Sequence, residues 1–143
     1  MGARRIGRER ALQALYQLEG AASTLAEDAL AAAWAAEPEE GGGKPDPEAQ
    51  RFARELVEGV RAHLQDIDAL IQEHSHNWRL DRMSRIDRNI LRLGVFELKH
   101  RADIPRKVTL NEMIELGKAF GTEESSAFIN GLLDRAAVAL KKP

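Results

Sequence analysis

The sequence predicts an all-α fold, on three observations: Ala, Leu, Glu, Arg and Gln dominate, β-branched residues are few, and apolar side chains recur every three or four positions. With 143 residues and 43% apolar side chains, the chain fits one compact domain or two small helical lobes sharing a core. No segment alternates with the period of a strand, and no repeat of fixed period is present.

The elements follow in order. Ala11, Leu12, Ala14, Leu15 and Leu18 give one apolar stripe to a first helix at about 4–19, with Gly20 placed to stop it. An Ala-rich second helix runs from Ser23 or Thr24 to about Ala36, with Glu27 and Asp28 in its first turn, where carboxylates suit the helix dipole. EPEEGGGKPDPE at 37–48 breaks the helical pattern and is read as a long, flexible loop rather than a domain linker, because 1–36 is too short to hold a core. Phe52, Leu56, Val60, Leu64, Ile67 and Leu70/Ile71 then mark one long amphipathic helix or two abutting ones, the boundary falling near Asp66.

Ser84 is placed to N-cap the next helix, with Asp87 three residues on. Its apolar residues Ile90, Leu91, Leu93, Val95, Phe96 and Leu98 surround most of the circumference, which predicts a central helix contacted on several sides. After the breaker DIPRK, Leu110, Met113, Ile114, Leu116 and Gly117 build another helix that Gly121 ends. Thr122 is expected to cap the last one, which presents Phe128, Leu132, Leu133, Ala136 and Leu140, while Gly131 is expected to admit a neighbouring helix.

Charge is distributed unevenly. The formal net charge is −2, yet it is +3 over 1–18, −7 over 19–48 and +5 over 79–107. Any nucleic-acid binding must therefore be local. Four arginines in seven positions, Arg4, Arg5, Arg8 and Arg10, are expected to meet an anion, whereas the central run from Arg79 to Lys107 reads first as a solvated helix face. Tyr16 falls near the polar margin of the first helix, where Leu would serve a core better, and is a candidate contact residue.

Catalytic chemistry finds little footing. The absence of cysteine excludes a disulfide framework, a thiolate nucleophile and Cys-ligated metal, and fits a reducing cytosol. No run approaches a membrane span, and the N-terminus lacks the apolar stretch of a signal peptide. His63, His74, His76 and His100 do not share a metal-binding spacing, and GGGK at 41–44 lacks the spacing and Ser/Thr of a phosphate loop. The expectation is a protein without catalytic residues, metal or cofactor.

Taken together, RERALQALYQLE, IDRNILRLGVFEL and IPRKVTLNEMIELGKAFGTEESSAFINGLLDRAA resemble the bacterial transcription antitermination factor family NusB over nearly the whole chain except 37–48. The ordered pair NEMIELGKAFG and FINGLLD is the specific part. That resemblance implies two packed bundles of three or four helices within one domain, with N-terminal helices to about 74 and a C-terminal bundle at about 80–140. It also implies a cytoplasmic, non-enzymatic role: binding the single-stranded boxA element of ribosomal RNA leader transcripts with the ribosomal protein NusE, within the antitermination complex of RNA polymerase. Family members occur both as monomers and as homodimers.

Residue by residue, the resemblance implies RNA contacts from Arg4, Arg5, Arg8 and Arg10, although Ile6 stands where relatives are often basic. A second RNA surface corresponds to Phe120, Gly121, Thr122, Ser125 and Phe128, where a helix start offers amides and a hydroxyl to phosphate and Phe a stacking plate. Glu123 and Glu124 oppose an anion there. The NusE-facing residues match Tyr16 and Asp87, and for Asp87 helix capping with Ser84 is an equal and compatible account. Two other readings stand beside this one: the RNA-recognition part of a ribosomal RNA methyltransferase system, disfavoured because no catalytic domain follows in this sequence, and a helical scaffold without RNA.

Overall fold

The computed structural model describes residues 2–21, 23–36 and 45–143, and among them every regular element is helical. The described residues form seven α-helices: α1 Ala3–Gly20, α2 Ala26–Ala36, α3 Pro47–Ala62, α4 Leu64–His74, α5 Arg85–His100, α6 Arg106–Phe120 and α7 Ser125–Ala139. A single 3₁₀ turn at Leu80–Arg82 precedes α5. Of the loop expected at 37–48, residues 37–44 lie outside the described residues. At its end, Asp46 Oδ1 accepts from Glu48 N at 2.8 Å and Pro47 opens α3, as suits a residue without an amide to satisfy.

The chain divides into two compact units, Met1–Arg61 and Ala62–Pro143. In the first, α1 packs on α2, and the Arg10 guanidinium lies 5.2 Å from the Trp34 ring centroid. Gly7 lets α1 approach α3: a Cβ there would stand 3.0 Å from Phe52 Cδ2 and 3.1 Å from the Ala49 carbonyl oxygen. Leu12, Leu15 and Leu18 of α1, Leu30 of α2, and Phe52, Leu56, Val57 and Val60 of α3 are buried.

The second unit is built around α5, which packs against α4, α6 and α7. Ile90, Leu91, Leu93, Val95, Phe96 and Leu98 are all buried, so apolar residues around the circumference do mark a central helix. The amphipathic segment after Pro47 is two helices, divided at His63, whose backbone (φ −115°, ψ 23°) leaves the helix. The second of them, α4, packs on α5 and α7, whereas the sequence grouped it with the N-terminal helices. Arg92 joins α5 to α4 through a two-pronged ion pair with Asp68 (2.8 and 3.0 Å), and the buried Glu97 accepts from Thr109 Oγ1 of α6 at 2.8 Å.

Two local expectations are corrected. Gly131 faces only its own helix's Arg135, so it does not admit a neighbour. Gly94 takes that part, because a Cβ there would stand 2.6 Å from Leu133 Cδ1 of α7. Thr122 does not cap with its hydroxyl: the residue before α7 is Glu124, and Thr122 donates its backbone N–H to Ser125 Oγ at 2.9 Å, the reach-back half of a capping box.

Candidate nucleic-acid interface

The N-terminal arginines divide into two kinds. Arg4 and Arg5 are exposed, but Arg8 and Arg10 are 2% and 6% exposed and pack inward, since every turn of α1 brings one side back onto the core. The guanidinium carbons of Arg4 and Arg8 lie 5.1 and 5.2 Å from the centroid of the Phe52 ring, with Arg10 against Trp34. The long stems of Arg8 and Arg10 cover apolar surface beneath the helix that presents Arg4 and Arg5. Tyr16, on the same helix, is 42% exposed.

The loop between α6 and α7 is equally specific. Gly121 N donates to the Gly117 carbonyl at 2.9 Å, and any Cβ on Gly121 would run into Ser125 Oγ and Cβ. Ser125 is 1% exposed, and its hydroxyl is taken up by Thr122 N and lies 3.3 Å from Thr122 Oγ1. The amide of Thr122 and the hydroxyl of Ser125, which the sequence offers to a phosphate, are therefore bonded to each other. Thr122 itself is exposed, while Phe120, Gly121 and Phe128 are half-buried.

Phe128 opens onto a groove of about 210 Å³, shared with Trp78, Arg82, Asp87, Thr122 and Glu124. Asp87 donates its backbone N–H to Ser84 Oγ at 3.1 Å, so the expected cap exists. Its carboxylate does something else: Oδ1 is shielded from solvent and has no hydrogen-bond partner. An acceptor left without a donor costs about 1–3 kcal/mol, and a ligand's donor would recover it. Trp78 and Arg82 were not singled out in the sequence, where Arg82 read as part of a solvated helix face; the arginine pitch was visible, but the fold alone brings it beside Phe128. Among the described residues no three His, Asp or Glu side chains cluster as a metal would need, and no helix is long and apolar enough to cross a membrane.

The family model for NusB matches residues 5–138. The chain belongs to the NusB family. It is 72% identical over 143 residues, the full length of both chains, to the transcription antitermination protein NusB of Myxococcus xanthus (strain DK1622). Its fold is similar to that of T. maritima NusB, with a TM-score of 0.83, 38% identity and 96% and 92% of the two chains covered. It is also similar, at a TM-score of 0.82 and 26% identity over 96% and 97% of the chains, to a chain in the crystal structure of the antitermination factors NusB and NusE in complex with double-stranded RNA. The all-helical architecture is thus the NusB fold, and the Arg4–Phe52, Thr122–Ser125 and Asp87 arrangements are how this member builds its surfaces.

Proposed function

We propose that this protein is a cytoplasmic, non-enzymatic transcription antitermination factor that binds boxA-type RNA of ribosomal RNA leaders together with NusE, within the RNA polymerase antitermination complex. The observation that carries the reading is full-length similarity to a relative named for antitermination, at 72% identity, supported by a fold neighbour crystallised with NusE and RNA. Arg4 and Arg5 contact phosphates and bases directly, while the buried Arg8 and Arg10 position them. Thr122 and Phe128 meet the RNA at the second surface, with Phe120, Gly121 and Ser125 shaping the loop behind them. Tyr16 meets NusE through its exposed ring, and Asp87 through the carboxylate oxygen that lacks a donor.

The test is fluorescence anisotropy of a labelled boxA-type strand, a scrambled strand and the boxA-type duplex, each with and without NusE at one salt concentration. Preferential binding of the boxA-type strand that NusE strengthens is the expected result, with replacement of Arg4 and Arg5 by alanine weakening it while the helical circular dichroism stays intact. Equal weak binding of all three RNAs, indifferent to NusE, would leave a helical scaffold with basic patches.

A further inference from the structure

Between α4 and α5 the chain makes no α-helix, yet the segment around Trp78 is held firmly. The Trp78 carbonyl accepts from Ser75 Oγ at 2.7 Å and Gln72 Nε2 at 3.1 Å, and Leu80 N donates to Gln72 Oε1 at 2.8 Å. From the other side Arg88 Nη1 reaches back to the carbonyls of Leu80 (2.9 Å) and Met83 (2.8 Å). The network braces the backbone at this point, and the indole it carries is 57% exposed.

A scattered surface aromatic needs no explanation, but this one lines the same groove as Phe128 and Thr122, with Arg82 beside it. A groove of about 210 Å³ is on the scale of one flat ring system. Among the described residues Arg82 is the one cation of the groove lining, which also holds the carboxylates of Asp87 and Glu124; of its neighbours in the arginine series, Arg79 pairs with Asp81 at 3.4 Å, Arg85 is exposed, and Arg88 turns inward as the brace. A half-bare indole on a braced backbone, a guanidinium on the same groove and continuity with Thr122 and Phe128 are what an unpaired nucleotide requires: a plate for the base and a cation for its phosphate. Because the backbone that carries the plate is already braced, less of the chain has to be ordered on binding.

We propose that Trp78 and Arg82 form a single-nucleotide site on this groove, Trp78 stacking one unpaired base of the bound RNA and Arg82 neutralising the adjacent phosphate. The inference rests on the RNA-binding function proposed above and extends its second surface by two residues. Asp87, on the same groove, keeps its oxygen for a donor from the protein partner.

The test uses the full chain with Trp34→Phe, so that Trp78 is the single indole, titrated with the boxA-type strand, the same sequence as duplex, and NusE alone. Quenching of Trp78 emission by the single strand but not by the duplex is expected. Trp78→Ala should weaken single-strand binding roughly five- to 150-fold, with Trp78→Phe within a few-fold of the parent. Arg82→Ala should lower the slope of log affinity against log salt by about 0.7. An alanine variant that is folded by circular dichroism and binds the single strand like the parent overturns the site, as does emission that responds to NusE alone and not to RNA. If the parent binds no RNA, the antitermination function and this site both fall; if the parent binds and Trp78→Ala changes nothing, only this site does.

Discussion

Asp87 does two jobs with different atoms. Its amide closes the N-terminal turn of α5 on Ser84 Oγ, while its side-chain Oδ1 stands buried and unsatisfied in the groove. The two jobs separate on substitution. Asp87→Asn keeps the backbone cap, so the urea midpoint should barely move, while affinity for NusE should fall about tenfold, the value of one charge-assisted hydrogen bond. Calorimetric titration with NusE alongside urea unfolding distinguishes this from a purely structural aspartate, which would move the midpoint instead. Glu124, exposed on the same groove, opposes a polyanion. Glu124→Gln should tighten RNA binding several-fold at low salt, the gain shrinking as salt screens it; unchanged or weaker binding in the anisotropy titration would remove repulsion as its role.

At the scale of elements, contact distance decides which glycines matter. Gly94 on α5 faces Leu133 of α7 so closely that a Cβ would stand 2.6 and 2.9 Å from the two leucine methyls. Leu133 is fully buried and has little room to turn away. Gly94→Ala should therefore destabilise the fold by about 1–3 kcal/mol in urea unfolding despite alanine's better helix propensity, whereas Gly131→Ala, with only Arg135 Nη1 at 3.4 Å, should be neutral or mildly stabilising. Nothing in the sequence separates the two residues: both lie in helical periodicity, and what differs is the face each turns to a neighbouring helix. The ends of elements were more legible. Ser84 before an apolar run reads as a cap and is one, because capping is settled within a few residues of chain.

At the scale of the whole molecule, one pH-dependent contribution to stability comes from a pair the sequence leaves 37 positions apart. His63, at the start of α4, stacks on His100, the last residue of α5, with ring centroids 4.1 Å apart and planes 19° apart. Phe96 adds a tilted contact at 5.4 Å. The His100 imidazole is held below the usual histidine value near 6.5 by burial first, then by His63 and Lys99, with Asp66 pulling the other way. The unfolded chain therefore takes up the His100 proton more readily than the folded one. Stability from this group is complete above about pH 6.5 and is lost as pH falls below it. Urea midpoints at pH 7.5 and 5.5 should differ less for His100→Gln than for the parent; equal differences would show that the stack carries no proton linkage.

Periodicity, caps and breakers operate within a turn or two of chain, and on that range the sequence by itself determined the helical class, the order of the helices except for the division of α3 from α4, the centrality of α5 and, through the ordered motifs, the NusB family. Burial is a property of what lies opposite, and only the tertiary structure decided it. Four arginines that look alike in MGARRIGRER become two exposed and two buried: Arg4 lies on Phe52 yet stays exposed, whereas helical geometry turns Arg8 and Arg10 inward onto Phe52 and Trp34, partners more than 20 residues away. Thr122 and Ser125 satisfy each other instead of waiting for a phosphate, and Trp78 with Arg82 meets Phe128 across some 50 residues of chain. Local rules fix which helices form; the contacts between distant side chains fix which residues remain to meet another molecule.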